Sequence, residues 1–146
     1  MISIAHRGNT EGRKKDLENR PEYILQAIEE GFDAEVDVWL YDGLDLGHDK
    51  PMYSIDIDFL LSYNERLWIH CKNLEALFYL TEFPELNCFW HQIDDFTLTS
   101  KKFIWTYPDK PVTSASVLVV ENASEYEGPE CYGICSDDFK NGKPIQ

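Results

Sequence analysis

No stretch of the 146-residue chain approaches the ~20 consecutive apolar residues that a membrane-crossing helix needs, and its start lacks the basic-then-apolar order of a secretory leader. A cytoplasmic chain without a membrane span is the expectation. Basic residues are scarce as well: 13 Lys and Arg stand against 27 Asp and Glu, a formal net charge of −14. Counterion-release binding needs clustered Lys and Arg, so nucleic acid and anionic membrane surfaces are excluded as partners of the surface as a whole. An anionic ligand must be held locally. Cysteine is limited to Cys71, Cys88, Cys131 and Cys135. Cys131 and Cys135 are too widely spaced for a CxxC pair, no second such pair completes a zinc site, and three of the four lie in apolar runs. Reduced, buried thiols are expected. What the chain does have is apolar mass: with 43% hydrophobic and 14% aromatic residues it suits one domain spanning 1–146 with a real core.

The most informative stretch is Asp33 to Trp39. At the two-residue period of a strand, Glu35 and Asp37 fall on one face and Ala34, Val36 and Val38 on the other. Either this is an edge strand with its acidic side in water, or the two carboxylates are buried and positive charge sits between them. A divalent cation would supply that charge.

The neighbouring segments build outward from this strand. Ile2 to Gly8 reads as a strand ending in a His-Arg-Gly turn, followed by a polar loop to Arg20. Pro21 then opens a helix running to about Glu30, with Asn19 as its cap and Gly31 as its stop. Tyr41-Asp42-Gly43 is a turn from which Leu44 to Asp49 returns. A turn and short helix over Pro51–Tyr63, a strand over Leu67–Cys71 and a helix from about Leu74 to Phe83 complete a βα rhythm that reaches a fourth strand at Leu86–Trp90. Short strands follow at Phe96–Thr99, Phe103–Thr106, Val117–Val120 and Tyr132–Cys135. Up to eight strands, with little room for helices after the fourth, fit a reduced (β/α)8 TIM barrel whose second half has lost or shortened its helices. Apolar residues within Phe103–Trp105 and Val117–Val120 would then be uncovered, which predicts a homodimer or higher symmetric assembly.

Taken in order, AHRG at Ala5 to Gly8, EN at Glu18 and Asn19, EVDV at Glu35 to Val38, GHD at Gly47 to Asp49 and HCK at His70 to Lys72 resemble the glycerophosphodiester phosphodiesterase family. WTYPD at Trp105 to Asp109 and CSDDF at Cys135 to Phe139 are weaker echoes of its final strands. The resemblance implies the same barrel as the phosphatidylinositol-specific phospholipases C. It implies His6 and His48 as acid–base residues, Arg7 and Lys72 as phosphate ligands, Glu35 and Asp37 as metal ligands, and Glu18 and Asn19 as supporting residues. His70 stands where the family usually has a third acidic ligand. The resemblance implies Mg²⁺ or Ca²⁺, while an imidazole ligand suits Mn²⁺ or Zn²⁺ better.

These residue types match the demands of phosphodiester cleavage. The phosphoryl oxygens need positive charge, which a guanidinium fork, an ammonium and a cation would provide. The leaving oxygen needs a proton, and imidazole, titrating near ~6.5, can give or take one at neutral pH. The expected substrate is a small glycerophosphodiester-like compound or a phosphorylated saccharide, cleaved through a cyclic phosphate. The alternative from another class is a non-catalytic phosphate-binding or assembly protein. Taken singly, each residue also has a structural reading: His6 as a bonded core histidine, Arg7 as a surface charge, His48 as an exposed turn residue, Lys72 as part of the helix that follows. Glu18 is expected to orient Arg7, His91 to play a structural or solvent role, and Trp68, Trp90 and Trp105 to form core or pocket wall.

Overall fold

Ten strands and three short α-helices make up the computed structural model, which describes residues 1–145. In chain order these are β1 (Ile2–His6), α1 (Pro21–Glu29), β2 (Asp33–Leu40), β3 (Leu44–Leu46), β4 (Tyr53–Ile55), α2 (Ile57–Ser62), β5 (Leu67–Cys71), α3 (Leu74–Leu80), β6 (Cys88–Phe89), β7 (Phe96–Leu98), β8 (Ile104–Thr106), β9 (Ser116–Asn122) and β10 (Gly133–Asp138). Seven strands run parallel in the order β6-β5-β2-β1-β10-β9-β8. The β3–β4 hairpin adds to the end of β2 antiparallel, and β7 adds to β8 antiparallel.

The expected (β/α)8 TIM barrel is therefore not what forms. The molecule is one mixed ten-stranded sheet with three short helices, and no strand ladder joins β6 to β7 to close a ring. The reason lies in connection lengths. A parallel crossover usually takes about a dozen residues, and the shortest in this sheet, 107–115 between β8 and β9, takes nine. Only five residues, 99–103, separate β7 from β8, so the chain can only turn back on itself, through Lys102 at φ 68°.

The sheet nevertheless curls strongly. Phe89 on β6 and Trp105 on β8, from opposite ends of the parallel series, stack with ring centroids 4.5 Å apart. Ile4, Trp68, Val117 and Cys135 join them in one cluster on the concave face. Each fully buried aromatic removes about 150–250 Å² from water, roughly 4–6 kcal/mol of apolar transfer free energy, so this layer is a substantial part of what holds the curl. The other face is covered by helices: Ala34, Val36, Val38, Leu67 and Ile69 pack against Ile24, Leu60, Ala76 and Leu80.

The start of α1 departs from expectation. Arg20, not Asn19, occupies its cap position and makes no side-chain cap, because the Asn19 side chain is turned into the protein. Pro21 at the first turn and Gly31 at φ 97° bracket the helix as its sequence implies. Helix α3 is shorter than expected and capped by Asn73, whose Oδ1 accepts from the Ala76 amide. All four cysteines are buried and free.

The reason given for a dimer also changes. Trp105, Val117 and Leu118 are buried within the single chain, while Leu74, Phe78, Ile93 and Leu98 are the prominent exposed apolar residues. Among the described residues, no helix is long and apolar enough to cross a membrane.

Candidate active site

Parallel register brings the ionic residues of β1, β2 and β5 level with one another. His6 lies opposite Glu35, and Asp37 opposite His70. The side-chain period places all four on the concave face, bordering the aromatic cluster: Trp68 lies opposite Glu35 and Phe89 opposite His70. Strand β2 is central, so the edge-strand reading fails: Glu35 is 2% exposed and Asp37 0%.

Asp37 is the hub. Its Oδ2 accepts from Asn19 Nδ2 at 2.9 Å and lies 3.1 Å from Arg7 Nε and 3.5 Å from His48 Nδ1. Its Oδ1 lies 3.1 Å from His70 Nδ1 and 3.6 Å from Lys72 Nζ. Burial alone would raise the Asp37 pKa, but His48, His70 and Arg7 together hold it well below the usual carboxylate range. Arg7 is fixed from several sides: Nη1 donates to Glu18 at 3.3 Å, Nη2 to His48 Nε2 at 3.4 Å, and its backbone amide to the Glu35 carbonyl at 3.0 Å. The other Glu18 oxygen accepts from Arg13 and Asn9.

Two non-glycine residues here adopt left-handed backbone, Arg7 at φ 54° and Asn19 at φ 63°. Such residues cost of order 1–3 kcal/mol each and persist where surrounding bonds over-determine them. Asn19 shows how: its Oδ1 accepts the Asp37 amide while its Nδ2 donates to the Asp37 carboxylate.

His48 arrives by a different route from the others. It follows the antiparallel β3, on the return from the turn at 41–43, and not a parallel strand. Its loop is held by the Trp39 indole, which donates to the Gly47 carbonyl at 2.6 Å, and by the Gly47 amide, which donates to the Asp37 carbonyl at 3.1 Å. A Cβ on Gly47 would collide with the Lys50 carbonyl oxygen. Gly47→Ala is expected to displace the His48 loop, lowering stability by about 1–3 kcal/mol in urea titration and lowering turnover with it.

His70 is oriented from behind. Its Nε2 can only donate to the His91 carbonyl at 2.8 Å, and its ring stacks on Phe89 at 5.2 Å. A neutral His70 therefore presents a lone pair at Nδ1 toward Glu35 and Asp37, while a protonated one presents N–H. Burial alone would lower its pKa, but the two carboxylates outweigh burial and raise it to about 9. His91 thus serves through its backbone oxygen.

Glu35, Asp37 and His70 offer ligand atoms within 4.8 Å of one another. Asp37 Oδ1 is buried, with His70 Nδ1 at 3.1 Å and Lys72 Nζ at 3.6 Å as its charged neighbours and no hydrogen bond of its own. An orphaned carboxylate oxygen beside a second carboxylate and an oriented imidazole fits a divalent cation.

Two residues of the site were not singled out from the sequence. Asp137, near the end of β10, accepts from His6 Nδ1 at 2.9 Å and from Asn9 Nδ2 at 2.8 Å. Asn9, fully buried, also accepts from the Lys14 amide and the Tyr23 hydroxyl, tying the loop after β1 to α1. Burial alone would lower the His6 pKa, but the Asp137 bond and the Glu35 charge leave it raised.

The fold and site together define an α/β protein with an open, curled and largely parallel sheet whose C-terminal mouth holds a buried ionic cluster. No protein-family model, curated protein or solved structure matches the chain.

Proposed function

We propose that the protein is a phosphodiester hydrolase acting on a glycerophosphodiester-like substrate through a cyclic phosphate. One observation supports this most: two imidazoles, a guanidinium and an ammonium meet around the Glu35–Asp37 pair at one mouth. A pure scaffold has no use for that set. Arg7 and Lys72 bind the non-bridging phosphate oxygens, Arg7 as a fork and Lys72 as a point charge. His6, its imidazolium supported by Asp137, protonates the leaving oxygen. His48 takes the proton of a hydroxyl vicinal to the phosphoester, whose oxygen attacks phosphorus as the ester bond breaks. Water then opens the cyclic phosphate with the two roles reversed. A divalent cation, held by Glu35, Asp37 and His70, supplies electrostatic stabilisation of the phosphoryl oxygens when bound.

The second reading is a phosphate-binding protein without turnover. It is favoured by the contacts of Asp37 with Arg7, Lys72 and His70, which neutralise its charge without a metal. Hydrolysis assays with Mg²⁺, Ca²⁺, Mn²⁺ or Zn²⁺, and with EDTA, separate the two. Glycerophosphocholine, which has the vicinal hydroxyl, is expected to be cleaved and chelator to suppress it. Bis(p-nitrophenyl) phosphate, which lacks that hydroxyl, is expected to be spared. No turnover of glycerophosphocholine with any of the four metals sinks the hydrolase reading.

A further inference from the structure

Beside His48 the site opens into a cleft of about 520 Å³ between the loop after β1 and the loop before β4. Arg13, Lys15, Arg20 and Lys50 line it, four of the 13 basic residues of a chain whose net charge is −14. Three acidic side chains, Asp16, Glu18 and Asp49, line the same cleft, and two of them are engaged. Glu18 binds both Arg7 and Arg13, and Asp49 lies 3.6 Å from His48 Nε2. Arg20 is braced by the Asp16 carbonyl at 2.8 Å and lies over the Tyr53 ring at 5.7 Å. Lys15 and Lys50 pair with no acidic side chain among the described residues. An anionic substrate approaching so acidic a protein is repelled over most of the surface, so a basic wall continuous with the catalytic groups is the place where further negative charge is accommodated.

We infer that this cleft is a subsite for a second phosphate, carried by the alcohol component whose hydroxyl faces His48. This rests on the hydrolase reading and makes the substrate class specific: a phosphodiester joining a polyol to a phosphorylated polyol. The regiochemistry follows. With the phosphorylated component beside His48, its own vicinal hydroxyl attacks the diester phosphorus and the bond to the unphosphorylated alcohol breaks. That alcohol leaves with the proton from His6. Water opens the ring, so the products are the free alcohol and a bisphosphate of the retained component.

The test compares glycerophosphoglycerol with the same compound bearing a phosphate on one terminal hydroxyl. Rim charges act weakly one by one and are screened by salt, so roughly a tenfold higher kcat/KM for the phosphorylated compound is expected at low ionic strength, shrinking at high salt. The products expected are glycerol and glycerol 1,3-bisphosphate; two molecules of glycerol monophosphate would place the second phosphate on the wrong side and overturn the assignment. In the Lys15→Ala/Lys50→Ala double variant the preference should fall toward one. Calorimetric binding of glycerol 1,3-bisphosphate against glycerol 3-phosphate repeats the comparison without turnover, with the same tenfold expectation. Binding preference without hydrolysis retains the subsite and removes the hydrolase reading. Hydrolysis with no preference in rate or binding removes the subsite alone, and a preference untouched in the double variant also overturns it.

Discussion

Asp37→Ala is expected to reduce kcat/KM at least 10³-fold and to destabilise the fold by about 3–5 kcal/mol, the usual consequence of leaving buried charges without their partner. The side chains left behind are Arg7 and Lys72, only 10% and 16% exposed, together with His70 and the Asn19 amide that props the left-handed turn. Asp37→Asn is the sharper variant, because it keeps the shape and an oxygen while removing the charge. The carboxylate is held well below its ordinary pKa in the fold, so its stabilising contribution is present above about pH 4 and is lost as pH falls through the depressed native value. His70 runs the other way. Its pKa, raised to about 9 in the metal-free protein, gives a contribution fully present below about 6.5 and lost as pH rises through 9. Urea midpoints of the metal-free protein should therefore decline across the alkaline range, and Asp37→Asn should flatten that decline as the His70 ring titrates closer to its ordinary value. Because a cation competes with the proton on His70 Nδ1, metal affinity should rise over the same range. Wild-type turnover in Asp37→Asn, or an unchanged His70 titration by NMR, would remove Asp37 from the centre of the site.

Much of that site is legible from alternation within short strands. Period two along Asp33–Trp39 separates Glu35 and Asp37 from Val36 and Val38, and the same period along Leu67–Cys71 puts His70 with Trp68. What alternation cannot supply is whether a polar face is wet. Glu35 and Asp37 are buried because β1 and β5 flank β2 on both sides, a long-range fact. The barrel failed for a related reason. Ten strands form where up to eight were expected, and closure depends on whether the segments after β6 leave room for crossovers, which the five-residue connection 99–103 does not. Asn19 shows local chemistry giving way to tertiary contact: one residue before the cap of a helix with Pro at its first turn, it instead binds the carboxylate and amide of Asp37. Asp137 was within reach. Extending β10 past Cys135 at period two places Asp137 on the concave face, beside the strand that carries His6.

Asp137 also yields the test that best separates catalysis from scaffolding. His6 binds Asp137 through Nδ1 at 2.9 Å, and its Nε2 lies 3.8 Å from Glu35, so the ring is oriented from one side and exposed to substrate from the other. His6→Ala is expected to lower kcat by roughly 10²–10⁴, the usual yield of one positioned acid–base group. Asp137→Asn should do so less, about 10–10²-fold, since the ring stays in place and loses charge support. The distinguishing readout is the pH profile. Asp137 helps hold the His6 pKa above its ordinary value, so if His6 is the acid, activity declines as pH rises through that pKa. Removing the carboxylate should move this alkaline limb to lower pH while KM changes little. His6 and Asp137 are 22% and 24% exposed, so their pairing is partly screened and Asp137→Asn should cost at most about 1 kcal/mol of stability. A large loss of stability with an unmoved alkaline limb would make the pair a structural strut between β1 and β10 and leave the proton transfer to another group. A shifted limb with the urea midpoint nearly intact would place His6 at the leaving oxygen.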